Sequence, residues 1–174
     1  MATMSPRVRK LALTAHVTAS VGWFGAVAVF LALAVTGLAT RDAATVGPAY
    51  VAMDVTGWYV IVPLCLASLV TGVVSSLGTT WGLLRHYWIT VKLAITVLAT
   101  GALLLHLPPI SRVATAAAAP GWTGADLVDL RTRLVVQSGA ALLVLLGATA
   151  LSVYKPQGRT RHGQRHKERQ AAPA

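Results

Sequence analysis

Four long apolar stretches, each broken by few charges, divide the chain at about Leu11–Leu38, Tyr50–Leu77, Trp81–Leu107 and Leu134–Tyr154. Each reaches the ~20 residues that a helix needs to cross a hydrocarbon core ~30 Å thick. The pattern predicts an all-α integral membrane bundle of four transmembrane helices over residues 11–154. Residues 1–10 form a basic N-terminus, and residues 155–174 form a basic tail with no apolar stripe, expected to be disordered. Pro63 falls near the middle of the second stretch, and the Pro108-Pro109 pair is expected to end the third sharply, because proline lacks the N–H and crowds the preceding turn. The first stretch follows Arg7, Arg9 and Lys10, as the core of a signal peptide would. Such a core runs only ~7–15 residues, about half the length found here, so a retained helix is expected.

Composition supports the membrane assignment. The 174 residues are 55% hydrophobic and 11% charged, with a mean hydropathy of +0.65, whereas about a quarter of a soluble domain is charged. Fifteen Lys and Arg oppose five acids, for a formal net charge of +10. Arg7, Arg9, Lys10, Arg85, Lys155, Arg159, Arg161, Arg165, Lys167 and Arg169 flank one side of the predicted bundle, and Arg41, Arg112, Arg131 and Arg133 flank the other. The bias puts both termini in the cytoplasm and the loop from Pro108 to Asp129 outside. The chain is thus expected to be a multi-pass protein of a bacterial plasma membrane. Its basic tail would lie on anionic lipid headgroups; without aromatics or a fold, that tail is not expected to bind nucleic acid. Cys65 is the single cysteine, so no intramolecular disulfide forms. No P-loop, GxSxG elbow, cysteine pair or HExxH is present, so the common soluble catalytic motifs are missing.

Helix contacts in lipid favour small residues, and Gly22, Gly25 and Ala26, then Gly72, Ser75 and Ser76, then Gly139, Ala140 and Gly147 are candidates for close packing. Polar residues inside the spans are the candidates for function. His16, Ser20 and Trp23 share one face of the first helix; Trp81, Trp88, Lys92 and Thr96 share one face of the third. At ~1.5 Å per residue both stripes reach a similar depth, ~10 Å from their basic flanks. They would frame a flat cofactor or a polar substrate. Simpler roles stand beside that one: a hydrogen bond from His16 to a carbonyl or to Ser20, snorkelling of Lys92 to the headgroups, and a tryptophan belt at the interface. A second polar group, Asp54, His106, Arg131 and Arg133, falls toward the other surface, with Trp58 one turn from Asp54. An ion pair between Asp54 and one of those cations is expected, with an external proton or quinol site as the alternative. Met1, Met4 and Met53 cannot meet at one depth, which argues against a thioether-lined copper path. His86 points away from the Lys92 stripe and His106 lies in the other leaflet, so neither is an easy second ligand to a haem on His16.

The segments HVTASVGWFGAVAVFLALAVTGL, YVAMDVTGWYVIVPLCLASLVTG and WGLLRHYWITVKLAITVLAT resemble a bacterial family of four-helix integral membrane proteins, over roughly residues 11–107. More distantly, the His16-to-Trp23 spacing with Trp23-Phe24-Gly25, and Trp88 with Lys92, are similar to the four-helix protoporphyrinogen oxidase of the HemJ type, grouped with copper-resistance protein D. That resemblance implies a four-helix fold and b-haem bound through His16 and Lys92, with Arg85 matching a further arginine of the family. The expectation is a b-haem or porphyrin pocket between the first and third helices. His16 would be an axial ligand, Lys92 a second ligand or a propionate partner, and Trp23 and Trp88 the walls. A non-enzymatic membrane scaffold is the contrasting expectation, and copper transport a weaker one.

Overall fold

A computed structural model describes residues 4–40, 42–77, 87–117, 119 and 128–154; the side chains of Ala43 and Trp88 are outside that description. Helix α1 runs Pro6–Ala39, α2 Ala43–Thr56, a π-helical turn Gly57–Ile61, α3 Val62–Leu77, α4 Tyr87–Ala117 and α5 Val128–Tyr154. Ser5 caps α1, its hydroxyl accepting the Val8 N–H at 3.5 Å, with Pro6 at the first helical position. Asp42 caps α2, accepting the Thr45 hydroxyl at 2.7 Å and the Ala44 N–H at 3.1 Å. The Thr45 bond, and then the Ala44 bond, hold the Asp42 carboxyl below its ordinary range. This cap is therefore complete above that range and is lost as pH falls through the lowered value.

The π-helical turn joins α2 and α3 into one span, and Pro63 accounts for it. The proline ring removes the donor that the Tyr59 carbonyl would accept and crowds that carbonyl. Widening the preceding turn, so that Val62 N–H bonds to the Gly57 carbonyl five residues back, relieves the conflict without breaking the helix. The membrane-crossing helices are thus Pro6–Ala39, Ala44–Leu77, Ile89–Ala117 and Val128–Tyr154, all long and apolar enough to span.

Four sequence boundaries change: the first span begins at Pro6 rather than Leu11, with Ser5 as its cap. The second span begins near Ala43 rather than Tyr50, because Asp42 supplies its cap. The fourth begins at Val128 rather than Leu134, carrying Arg131 and Arg133 on helix rather than ahead of it. Most notably, Pro108-Pro109 does not end the third span: α4 continues to Ala117. Beyond the prolines, Ile110, Val113 and Ala114 continue the buried stripe that Leu107 begins, and this part of α4 packs on α2. That continuous packing outweighs two missing backbone bonds. The start of the third span at Trp81 and the tail from Lys155 to Ala174 lie outside the described residues.

The helices form an up-and-down square. α1 packs on α2–α3 and on α5, and α4 packs on α2–α3 and on α5, so α1 and α4 are diagonal. The start of α1 and the end of α5 lie at one end, here the terminal end; the other is the far end. The core, Trp23, Ala26, Val27, Phe30 and Ala34 of α1 with Tyr50, Met53, Ile61, Cys65, Leu107, Ile110, Val113 and Leu134, fills the far two-thirds. Serines and threonines along the helices return their protons to carbonyls four residues back, as Thr96, Thr100, Ser138 and Thr149 do. This keeps hydroxyls satisfied in an apolar medium.

The glycines that set close approaches are partly unexpected. Gly22 admits Leu64, and Gly72 admits His16, as small-residue packing predicts. Gly25, Gly139 and Gly147 instead face open space. Gly37 and Gly57 matter more: an added methyl would lie 2.8 Å from the Tyr50 ring or 2.7 Å from Leu107. The Tyr50 ring is fully buried and rigid, so it cannot yield cheaply. Gly37→Ala is expected to destabilise the bundle by ~1–3 kcal/mol, read as a lower unfolding midpoint in detergent. Gly101→Ala, which enters open space, is the control and should leave the midpoint unchanged; equal midpoints for both variants would refute the contact.

Candidate functional site

His16 sits on α1 two turns beyond its basic start, with its ring against the bare Cα of Gly72. Its Nδ1 lies 3.0 Å from the Ser68 carbonyl and 3.2 Å from the Thr71 hydroxyl, both on α3. A carbonyl only accepts, and the Thr71 hydroxyl gives its proton to the Ala67 carbonyl at 2.5 Å. Nδ1 therefore carries a proton and donates. In the neutral ring this leaves the Nε2 lone pair bare, and Nε2 makes no hydrogen bond among the described residues. Alongside, Ser20 of α1 and the buried Ser68 of α3 share a hydroxyl bond at 2.8 Å. The Ser75 hydroxyl, one turn beyond Gly72, is enclosed and has no partner.

Lys92 is half-buried on α4, and its ammonium reaches across to α5, donating to the Ser152 hydroxyl at 2.6 Å. Ser152 in turn gives its proton to the Ala148 carbonyl at 2.9 Å, which turns a lone pair toward the ammonium. His16 and Lys92 thus belong to one end of the bundle. They do not face each other across a shared interface, as the two stripes suggested. Their helices are diagonal, and each residue binds a neighbouring helix instead.

The expected walls fare differently. Trp23 is 5% exposed and packed in the apolar core, so it is no open wall; it closes the core directly beneath the polar end. The Trp88 side chain, Trp81, Arg85 and His86 lie outside the described residues. Cys65 and Thr100 complete the boundary, the thiol donating to the Thr100 hydroxyl at 3.0 Å because that hydroxyl's proton is held by the Thr96 carbonyl. Above this boundary, α4 is loosely held: between Ile89 and Leu107 only Thr100 is buried. Over a comparable length α1 buries Ala19, Trp23, Ala26, Val27, Phe30, Ala34 and Gly37.

The far-end group divides in two. Arg131 donates through Nη2 to the Gly37 carbonyl and through Nε to the Tyr50 hydroxyl at 3.0 Å, with its guanidinium 5.8 Å from the Tyr50 ring centre. Asp54 instead accepts the Ser111 hydroxyl at 2.6 Å, and Ser111 accepts the Trp58 indole N–H at 3.2 Å. The expected ion pair of Asp54 with Arg131, Arg133 or His106 does not form. Arg131 is committed to a carbonyl and a phenol, Arg133 is exposed, and His106 donates to the Ala102 carbonyl of its own helix at 2.5 Å. Ser111 was missed because the Pro108-Pro109 pair was read as the end of the helix. A shallow apolar groove of about 660 Å³ lies nearby, lined by Gly47, Pro48, Val51, Ala52, Val55, Thr56 and Ala117; it includes none of these polar groups.

Among the described residues no three His, Cys, Asp or Glu side chains gather as a metal-binding group, and Met53 is fully buried in the core. Comparison with protein-family models, curated proteins and solved structures finds no match for this chain. The hydrogen-bond geometry gives a direct expectation for His16. In ¹⁵N-histidine NMR of the protein in micelles at alkaline pH, the resonance lost in His16→Ala should show the Nδ1–H tautomer, the reverse of a free imidazole. An Nε2–H signal would contradict the Ser68 bond.

Proposed function

We propose that this chain is a plasma-membrane protein whose terminal end faces the cytoplasm and holds a b-type haem or a related porphyrin on His16. The observation that carries the reading is the division of labour on one ring. Nδ1–H is tied to the Ser68 carbonyl, which orients the imidazole and leaves Nε2 as a ligand lone pair, the arrangement that suits axial histidines. The loosely held stretch of α4 above Thr100 supplies the flexible side of the site. Lys92, an ammonium at the same end of the bundle, is suited to a propionate. Bound haem would supply one-electron redox chemistry; the chain itself orients the imidazole, seals the site from the core with Trp23 and offers a cation. The resemblance to HemJ-type oxidases supports haem through these same two positions, while the buried Trp23 gives no support to a tryptophan-walled slot.

A specific observation also favours a scaffold reading. His16 and Lys92 each tie two helices together through Ser68 and Ser152, a role that needs no cofactor. The two readings separate in the visible spectrum of protein purified in detergent after expression with haem supply. The haem reading expects a Soret band that shifts on reduction and vanishes in His16→Ala. A colourless wild-type protein sinks it and leaves the scaffold. Orientation follows from the excess of Lys and Arg around the terminal end. A C-terminal reporter that works only in the cytoplasm should be active, and activity confined to a periplasmic reporter would reverse the assignment.

A further inference from the structure

Among the described residues, the terminal end carries positive charge that no acid neutralises. Lys92 donates to one partner there, the neutral Ser152 hydroxyl, and forms no ion pair with a described acid. The described acids, Asp42, Asp54 and Asp129, all belong to the far half. A half-buried ammonium without a counter-charge is costly, and in proteins such groups are paired.

The direction of Lys92 matters as much as its charge. Its ammonium does not run along α4 toward the headgroups; it crosses to α5. A counter-ion for it would therefore sit at the seam between these two helices. Depth says which anion is at hand. Arg131 and Ser152 lie about 21 residues apart on α5, or ~32 Å at ~1.5 Å per residue, and Gly37 and His16 are equally far apart on α1. A hydrocarbon core is ~30 Å thick. With the Arg131 clasp at one face of that core, Lys92 and Ser152 lie at the other, where the core meets the lipid headgroups.

We propose that the terminal end of the α4–α5 seam is an oxyanion seat, filled by the phosphate of one anionic phospholipid that Lys92 binds. The seat rests on unbalanced charge and depth, not on the His16 ligand geometry, so it stands whether or not haem binds. A carboxylate carried by a porphyrin is the other source of the same chemistry, and mass distinguishes the two.

The test is native mass spectrometry of the full chain, taken from vesicles of phosphatidylglycerol and phosphatidylcholine mixed equally, in about 0.5 M salt, where loose attraction to the basic tail is screened. The wild-type protein should retain one phosphatidylglycerol and little phosphatidylcholine. Lys92→Gln should lower that occupancy about tenfold, the loss expected for one charge-assisted phosphate contact, and Lys92→Arg should keep it. Equal retention of the two lipids by the wild type, a measurement that needs no variant, would overturn the seat. So would equal phosphatidylglycerol retention by wild type and Lys92→Gln. A porphyrin mass in place of the lipid overturns the phosphate seat and upholds the haem reading. A retained phosphatidylglycerol on a colourless protein upholds the seat and removes haem.

Discussion

Lipid tails are as apolar as leucine, so burying apolar surface gives these four helices no net drive to associate. Association must come from close packing and from interhelical hydrogen bonds, each worth ~0.6–2 kcal/mol in a membrane. The Arg131 clasp carries most of that burden at the far end. One guanidinium on α5 binds a carbonyl on α1 and a phenol on α2, and the missing side chain of Gly37 lets the phenol approach. Three helices meet there through one residue. The fourth, α4, joins through Ser111, which links Asp54 to Trp58, and through Leu107, seated in the space left by Gly57. This explains why α4 survives two consecutive prolines: the segment beyond them is held by neighbours rather than by its own backbone ladder.

The terminal end is built on the opposite plan. Its contacts are pairwise ties, α1 to α3 through His16 and Ser20, and α4 to α5 through Lys92. Among the described residues no single side chain spans three helices there, and the first half of α4 buries little. His16 and Ser20 both tie α1 to α3, whereas Lys92 alone ties α4 to α5 among the described residues. Trp23 and the Cys65–Thr100 bond mark where the apolar core begins.

The four spans were legible because length and hydropathy alone decide them. The polar candidates were legible too, since a histidine, a lysine and an aspartate stand out in apolar runs. Their partners were not. Helical spacing places His16, Ser20 and Trp23 on one face but cannot tell that this face meets α3, where a backbone carbonyl, invisible to any side-chain pattern, takes the Nδ1 proton. Lys92 was matched to His16 by depth, and depth was a sound guide; adjacency was not, because depth does not distinguish a neighbour from a diagonal. Pro108-Pro109 misled for a different reason. Local propensity ends a helix there, and only the tertiary stripe Leu107–Ile110–Val113–Ala114 shows why it continues. Gly37 and Gly57 escaped notice since each is defined by a bulky residue on another helix.

Structural and functional roles for His16 are compatible because its two nitrogens are separate groups. A residue needed only as a tie would be served by asparagine or glutamine, whose amide also donates to a carbonyl without leaving a basic lone pair in the bundle. Imidazole adds a second nitrogen that makes no hydrogen bond among the described residues, at the same end of the bundle as an ammonium with no described counter-ion. Two unmet valences at one end, an electron pair on Nε2 and a positive charge on Lys92, are complementary to different parts of a ligand: a Lewis-acidic centre and an oxyanion. A haem carries both, and a phospholipid carries only the second. On the proposed readings a haem would fill Nε2 and Lys92 together, and a phospholipid Lys92 alone.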